Sequence, residues 1–431
     1  MNSFAFSVDE VLRAGERISD EVEVYFTESN DLSLEQRESD VSSVFEHAGK
    51  SVYIRVLKDH KIGVSGTSDI TRWKDCLNAA VSSAKLAEPV PDSFGFSEKC
   101  AIPAGDDPFD SGLEISPETA NEYLKRMNEG AAMHKESRVV SGSVTLFEGS
   151  SVLANSNGVY LERKATDIVL GMDSICEGST GYEYDSSPFA SRINPEKTGE
   201  RNTFWATASR NGVSIESGKY DVVFSEHVVD SLILELLADA VNGKNVLHGK
   251  SIYAGKLGES VANQALSITE SPSDKTGSSW RRFDCEATPC RDISIIDKGV
   301  LTSLLYDRKT AAMANTQSTA SAQKGADGSI FISPHCLRID APKGNLLEKP
   351  CLYINEVIGA HTANQLTGEF SVETANAFLC EGGRFTKPVK KAMISGNVFE
   401  ILAKEVTVSE EVKVLGSAVV PKMRISGMQV V

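Results

Sequence analysis

Glu235 and Asp239 stand four residues apart in a stretch, residues 226–241, whose apolar side chains recur every three to four positions. That spacing puts both carboxylates on one helix face, where two acids can hold a hard cation or work as an acid/base pair. Solvated like charges at this spacing cost only about 0.2–0.5 kcal/mol, so a water-facing acidic row is the plainer reading. A second set is scattered: Cys285 and Cys290 flank Glu286, and His335 adjoins Cys336. Together they could ligate a metal drawn from distant segments. Neighbours on a strand point to opposite faces, however, so His335 and Cys336 do not readily ligate together, and ordinary packing is the plainer reading of this set.

Other chemistries lack their marks. Neither GxGxxG nor GxxxxGKS/T occurs, and Gly249-Lys250-Ser251 misses the second because Gly243 lies one residue too far upstream. GxSxG is absent, which removes the simplest serine hydrolase. The seven histidines form no HxH or HExxH pair, so local spacing defines no zinc site.

The elements that must position these residues fall into three groups. In the last, a strand at 220–224 leads into the helix at 226–241, with Ser225 as its cap and Gly243 as its end. Val228, Leu232 and Leu236 make one apolar row and Val229, Ile233 and Leu237 another, while Ser231, Glu235 and Asp239 form the polar row. Short β-like runs at 293–296, 301–306, 351–357, 377–379, 392–394 and 423–425 predict a mostly antiparallel barrel or sandwich. Residues 309–327, rich in Ala, Ser, Thr and Gln, read as a mobile loop.

The first group opens with a helix at 7–18, then strands at 22–26, 31–37, 41–47 and 51–57, a hairpin connection at 58–61, and a helix at 73–86. Prolines and glycines over 87–112 mark a connection. The middle group has a capped helix at 116–134, strands at 139–147, 151–155 and 159–170 with an Asn157-Gly158 turn, a loop-rich stretch at 178–197, and a final strand at 203–209. The expected architecture is α+β: N-terminal and middle α/β modules at 1–105 and 106–217, and a β-rich C-terminal domain at 218–431 carrying one long helix.

Composition bounds the partners. At 431 residues, with 41% hydrophobic and 24% charged residues, the chain is globular and long enough to hide roughly 75% of its extended surface. Sixty acidic against 44 basic side chains give a net charge of -16, which disfavours direct binding of nucleic acid or an anionic membrane. The first residues carry no secretory signal pattern, and the best apolar stretch, 228–241, is too short to span a bilayer and is broken by Asp230, Glu235 and Asp239. Eight cysteines without a CxxC pair read as reduced thiols, and the expected location is the cytoplasm.

Read together, several blocks resemble the TldD/PmbA family: 22–70, including Arg55 and Gly63-Val64-Ser65-Gly66-Thr67-Ser68-Asp69; Ala154-Asn155-Ser156-Asn157-Gly158; and Gly218-Lys219-Tyr220-Asp221-Val222-Val223-Phe224. So do Phe283-Asp284-Cys285-Glu286-Ala287-Thr288-Pro289 with Lys298-Gly299-Val300-Leu301, and Thr367-Gly368-Glu369-Phe370-Ser371 with Pro388-Val389 and Ser395-Gly396-Asn397. The resemblance implies that the TldD branch carries a zinc-peptidase motif, HExxxH, on the helix after the GKY-like strand, with a later cysteine as third ligand. Laid on this chain, the motif puts Leu234 and Asp239 at the histidines and Glu235 at the glutamate, and no cysteine falls between Asn397 and Pro421. The chain therefore resembles the PmbA branch, with no metal ligands or cofactor of its own and no catalytic residue.

The resemblance further implies a cytoplasmic peptidase in which a TldD-type partner carries the zinc, acting on small or unfolded peptides in peptide-antibiotic maturation and antitoxin turnover. Pairing of this chain with itself is the other assembly. Thr367, Gly368, Glu369, Phe370 and Ser371 are candidates to line a groove where an extended peptide adds to a sheet edge. Two other readings stand beside this one: a self-sufficient metallopeptidase drawing ligands from His335, Cys336, Cys285 and Cys290, and a non-enzymatic protein that binds and modulates DNA gyrase.

Overall fold

Long alternating strands build the front half of the molecule. In the computed structural model, which describes residues 7–431, six strands form one antiparallel sheet: β1 (Glu21–Arg37), β2 (Asp40–Lys58), β3 (Lys61–Thr67), β4 (Arg138–Asn155), β5 (Tyr160–Cys176) and β6 (Ser179–Ser187). Their order is β3-β2-β1-β4-β5-β6, so the pairing of β1 with β4 joins the N-terminal and middle modules edge to edge. Residues 1–6, which open the first of those modules, lie outside the described residues. Segments expected as separate strands fuse: 22–26 and 31–37 are both β1, and 41–47 and 51–57 are both β2. Polar residues such as Thr27, Glu28 and Ser29 break the apolar alternation, yet their backbones stay paired with Ser51, Lys50 and Gly49. The β2–β3 hairpin turns through Asp59 and His60, both at positive φ, as a two-residue turn of the right twist requires.

Helices α1 (Val8–Gly15), α2 (Trp73–Ala84), α3 (Pro117–Ala131) and α4 (Pro195–Ala208) accompany this sheet. Two expectations fail here. The loop-rich 178–197 contains β6 and the start of α4, and the strand expected at 203–209 is the end of α4. Asn194 caps α4 by accepting from the Lys197 N–H, and Pro195 fills its first turn. The β-preferring Thr203, Phe204 and Trp205 are overridden by packing, with the Trp205 ring stacked 6.1 Å from Tyr353. Gly130 of α3 and Gly199 of α4 let the two helices touch: an added Cβ would lie 1.9 Å from the Glu196 carbonyl or 1.8 Å from that of Met127.

The C-terminal region is a closed barrel, which settles the choice between barrel and sandwich. Strands Gly218–Phe224, Cys351–Ile358, Glu369–Glu381, Met393–Asn397 and Ala418–Val430 follow one another around it. The last strand pairs back onto the first, Met423 opposite Phe224 and Val430 opposite Gly218. One seam is parallel, Leu352 beside Val222, and the others are antiparallel. The helix that follows the first strand spans 226–240, capped by the Ser225 hydroxyl, which accepts from the Val228 N–H at 3.3 Å. Its two apolar rows are buried in the barrel core, as the periodicity requires. Gly243 does not end it: the helix stops at Ala240, and Gly243 opens a new short helix capped by Asn242. Glycine is needed there because an added Cβ would lie 2.3 Å from the Tyr306 ring.

Residues 309–327 are likewise ordered. They hold all but the first residue of the helix Arg308–Met313 and the strand Ala322–Lys324, and the small Ala320 and Ser321 are fully packed. Among the described residues no helix is long and apolar enough to cross a membrane.

Candidate functional site

The middle of the 226–240 helix is π-helical, from Val229 to Leu234. Such a turn admits an extra residue and commonly marks a site where side chains must be re-aimed. The Glu235 N–H bonds to the Asp230 carbonyl five residues back. The acid that the Glu235 charge bears on is Asp230: burial pushes the Asp230 carboxyl up to about 6, and the Glu235 charge adds to the rise. Asp239, the partner expected from i, i+4 spacing, is raised by burial alone. Leu234 points into the core at 2% exposure, while Glu235 is exposed.

Asp230 and Glu235 open onto a cleft of about 330 Å³, lined also by Tyr182, Tyr184, His227, Glu356 and His361. Glu356 is pushed up to about 7 by burial, with the charges of Asp173 and Glu183 adding to it. A larger cleft of about 690 Å³ shares Tyr184 and is bordered by Arg192, Lys197, Arg201 and Lys413. Between the two stands Glu183 of β6. Burial opposes its charge, yet it stays well below the usual carboxylate range because His227 Nε2 sits 3.0 Å from one oxygen, Lys413 contacts the same oxygen, and Arg201 Nε is 3.1 Å from the other. Lys413 also donates to the Tyr184 carbonyl at 3.0 Å. Glu183, Arg201, His227 and Lys413 escaped the sequence reading because they come from four separate elements, with no local spacing to betray them.

The scattered set is placed apart from these clefts. His335 is buried with both ring nitrogens engaged: Nδ1 lies 2.8 Å from Gln323 Nε2 and Nε2 is 2.8 Å from the Ala320 carbonyl. Burial drives its pKa well down, so the ring is neutral. Cys290 Sγ contacts the same Ala320 carbonyl, and the backbone N–H groups of His335 and Cys336 donate to Glu270. Glu286 serves an ion pair: Arg55 Nη2 reaches it at 2.9 Å and Arg55 Nη1 reaches Glu23 at 2.9 Å, all three buried, tying the front sheet to the C-terminal region. Among the described residues no group of three or more His, Cys, Asp or Glu side chains is placed to hold a metal. Hydrocarbon at Leu234 and lone carboxylates at Glu235 and Asp239 do not fit zinc, which prefers nitrogen and sulfur donors.

Of the groove candidates, Thr367 donates to Glu369 at 3.3 Å, Gly368 takes a positive φ, and Phe370 is buried beneath Gly396. Glu369 and Ser371 are exposed, and the backbone of 369–371 pairs with 395–397. None of the five lines the 330 Å³ cleft.

Residues 22–84 match PmbA/TldA metallopeptidase domain 1, 110–210 the PmbA/TldA metallopeptidase central domain, and 217–431 the PmbA/TldA metallopeptidase C-terminal domain. The chain belongs to the PmbA/TldD family. Within that family it is 28% identical to an uncharacterized protein of Methanocaldococcus jannaschii, over 97% of this chain and 99% of that one. It is 26% identical to Metalloprotease PmbA of Escherichia coli O157:H7, over 95% and 93%. A Thermotoga maritima protein named as a candidate modulator of a DNA gyrase superposes with a TM-score of 0.88 at 25% identity, covering 98% of this chain and 99% of that one. TldE from Thermococcus kodakarensis shares the fold with a TM-score of 0.90 at 22% identity, over 98% and 99%. The chain is a metallopeptidase-like protein of this family.

Proposed function

We propose that this chain is a PmbA-type subunit that holds no metal of its own and completes a cytoplasmic peptidase with a zinc-bearing TldD-type relative. The reading is supported by one observation: Leu234, which the resemblance aligns with the family's first histidine, is buried in the barrel core rather than lining the cleft. Without a metal to lower the pKa of a bound water, Glu235 has no nucleophile to activate as a base. What the chain offers is a wall: the 330 Å³ cleft presents Tyr182, Tyr184, Asp230 and Glu356 to a small or unfolded peptide. Extended peptides bind such surfaces through backbone hydrogen bonds, with weak reading of sequence. The net charge of -16 leaves direct DNA contact out of this role.

Mixing the purified chain with a TldD-type relative tests the pairing. Co-elution at one to one, with elemental analysis finding zinc only in the relative, is the expected result. Stoichiometric zinc in this chain by itself would contradict it.

A further inference from the structure

Cys351 opens one barrel strand and Cys380 nearly closes the next, and the antiparallel register sets them directly opposite each other. Directly opposed residues in such a ladder have Cα atoms about 4.5–5.5 Å apart, inside the span a disulfide tolerates. Both side chains point to the same face, into one buried cluster with Tyr353 and Phe378, at 6% and 3% exposure. The Cys351 Sγ contacts the Leu346 carbonyl at 4.0 Å and the Cys380 Sγ the Phe378 carbonyl at 3.6 Å. Arg424 wraps the adjoining turn, donating to the carbonyls of Leu346 at 2.6 Å, Lys349 at 3.2 Å and Pro350 at 3.1 Å, and is anchored to Asp221 at 2.8 Å.

We infer that Cys351 and Cys380 are a reversible oxidation site, convertible from two thiols to a cross-strand disulfide by a small peroxide. The roles of the two sulfurs differ. The neighbouring Cys380 thiol and the nearby Arg424 guanidinium hold Cys351 below the usual thiol range, whereas Cys380 is pushed up. Cys351 is therefore the attacking thiolate. Its sulfur bonds to one peroxide oxygen, the O–O bond breaks, and the other oxygen leaves as water with the thiol's proton. The Cys380 sulfur then attacks the Cys351 sulfenic acid: S–S forms, S–O breaks and a second water leaves. Two thiols give up two electrons and two protons, and peroxide becomes two waters. An added dithiol returns both thiols. The bond closes a loop of the barrel across the seam between the two strands and adds a covalent tie to a turn already held by Arg424.

The full chain treated with hydrogen peroxide, then alkylated under denaturing conditions, tests this. Titratable thiols should fall from eight to six, since all eight cysteines start free. Because residues 344–384 contain no site that trypsin cuts, a glutamate-specific protease is used, cutting at Glu356, Glu369 and Glu373. The expected product is one peptide pair linked through Cys351 and Cys380, separated by dithiothreitol. Dimedone should label Cys351 in Cys380→Ser and leave Cys380 unlabelled in Cys351→Ser. Eight thiols surviving in the wild-type chain, a link between other cysteines, or Cys351 advancing to sulfinic acid with Cys380 still free would each overturn the inference.

Discussion

Glu183 and Glu356 line the two clefts that meet at Tyr184, and both are removed from water, yet their carboxyls move in opposite directions. Glu183 is held low by His227, Lys413 and Arg201; Glu356 has no cation partner among the described residues and feels Asp173 and Glu183 instead. Burial acts alike on both, so the neighbours decide the sign. Glu183 is structural glue between β6, α4, the central helix and the strand Val406–Leu415 that carries Lys413. The 330 Å³ cleft is by contrast lined by the acids Asp230, Glu235 and Glu356, two of them pushed up by burial.

Glu183→Ala leaves Arg201 and Lys413 without their counter-charge, and the expected cost is about 3 kcal/mol or more, read as a lowered urea midpoint. In the wild type the depressed Glu183 pKa means that its contribution is present in full above the ordinary glutamate value of 4.5 and is lost progressively as pH falls below it. A midpoint unchanged by the substitution would show that the cluster holds nothing together.

Leu234→His is next. It puts a polar ring where 2% exposure leaves no water, and about 2–3 kcal/mol should be lost without any zinc being acquired, because Asp239 and the missing thiol still deny the site its donors. Melting curves with and without added zinc read both effects.

On the acidic side the sign reverses. The Glu356 value of about 7 exceeds its ordinary 4.5, so the fold favours the neutral acid: the Glu356 contribution to stability is full below about pH 4.5 and falls as pH rises through 7. Glu356→Gln should flatten that fall and gain about 1–2 kcal/mol at pH 8. Equal pH slopes for the two proteins would refute the assignment. The smallest effect belongs to Glu235→Gln, which should bring the Asp230 titration down from about 6 toward its ordinary range, seen by NMR, with stability shifted by under about 0.5 kcal/mol.

What the sequence could disclose follows from range. The two apolar rows of the central helix, the Ser225 cap and the Asn157-Gly158 turn depend on neighbours within a few residues, and they stand as read. The helix at Trp205 and the ordering of 309–327 depend on tertiary packing, which overrode β propensity in one case and small polar composition in the other. At the site, the positions of Leu234, Glu235 and Asp239 were legible, but the π-helical turn from Val229 to Leu234 leaves no mark in hydrophobic spacing. The Glu183 cluster was invisible for a different reason: 44 residues separate Glu183 from His227 and 230 separate it from Lys413. Arg55 and Glu286, noticed in separate blocks, meet only in the folded chain.

The central claim is that this chain contributes a wall and its relative contributes the chemistry. Cleavage of an unfolded peptide mixture should be measured for the chain alone, for a zinc-bearing TldD-type relative alone, and for the two together, each with and without a chelator. The account predicts no turnover from the chain alone and chelator-sensitive turnover, well above the relative's own, from the mixture. Chelator-sensitive cleavage by the isolated chain would contradict it.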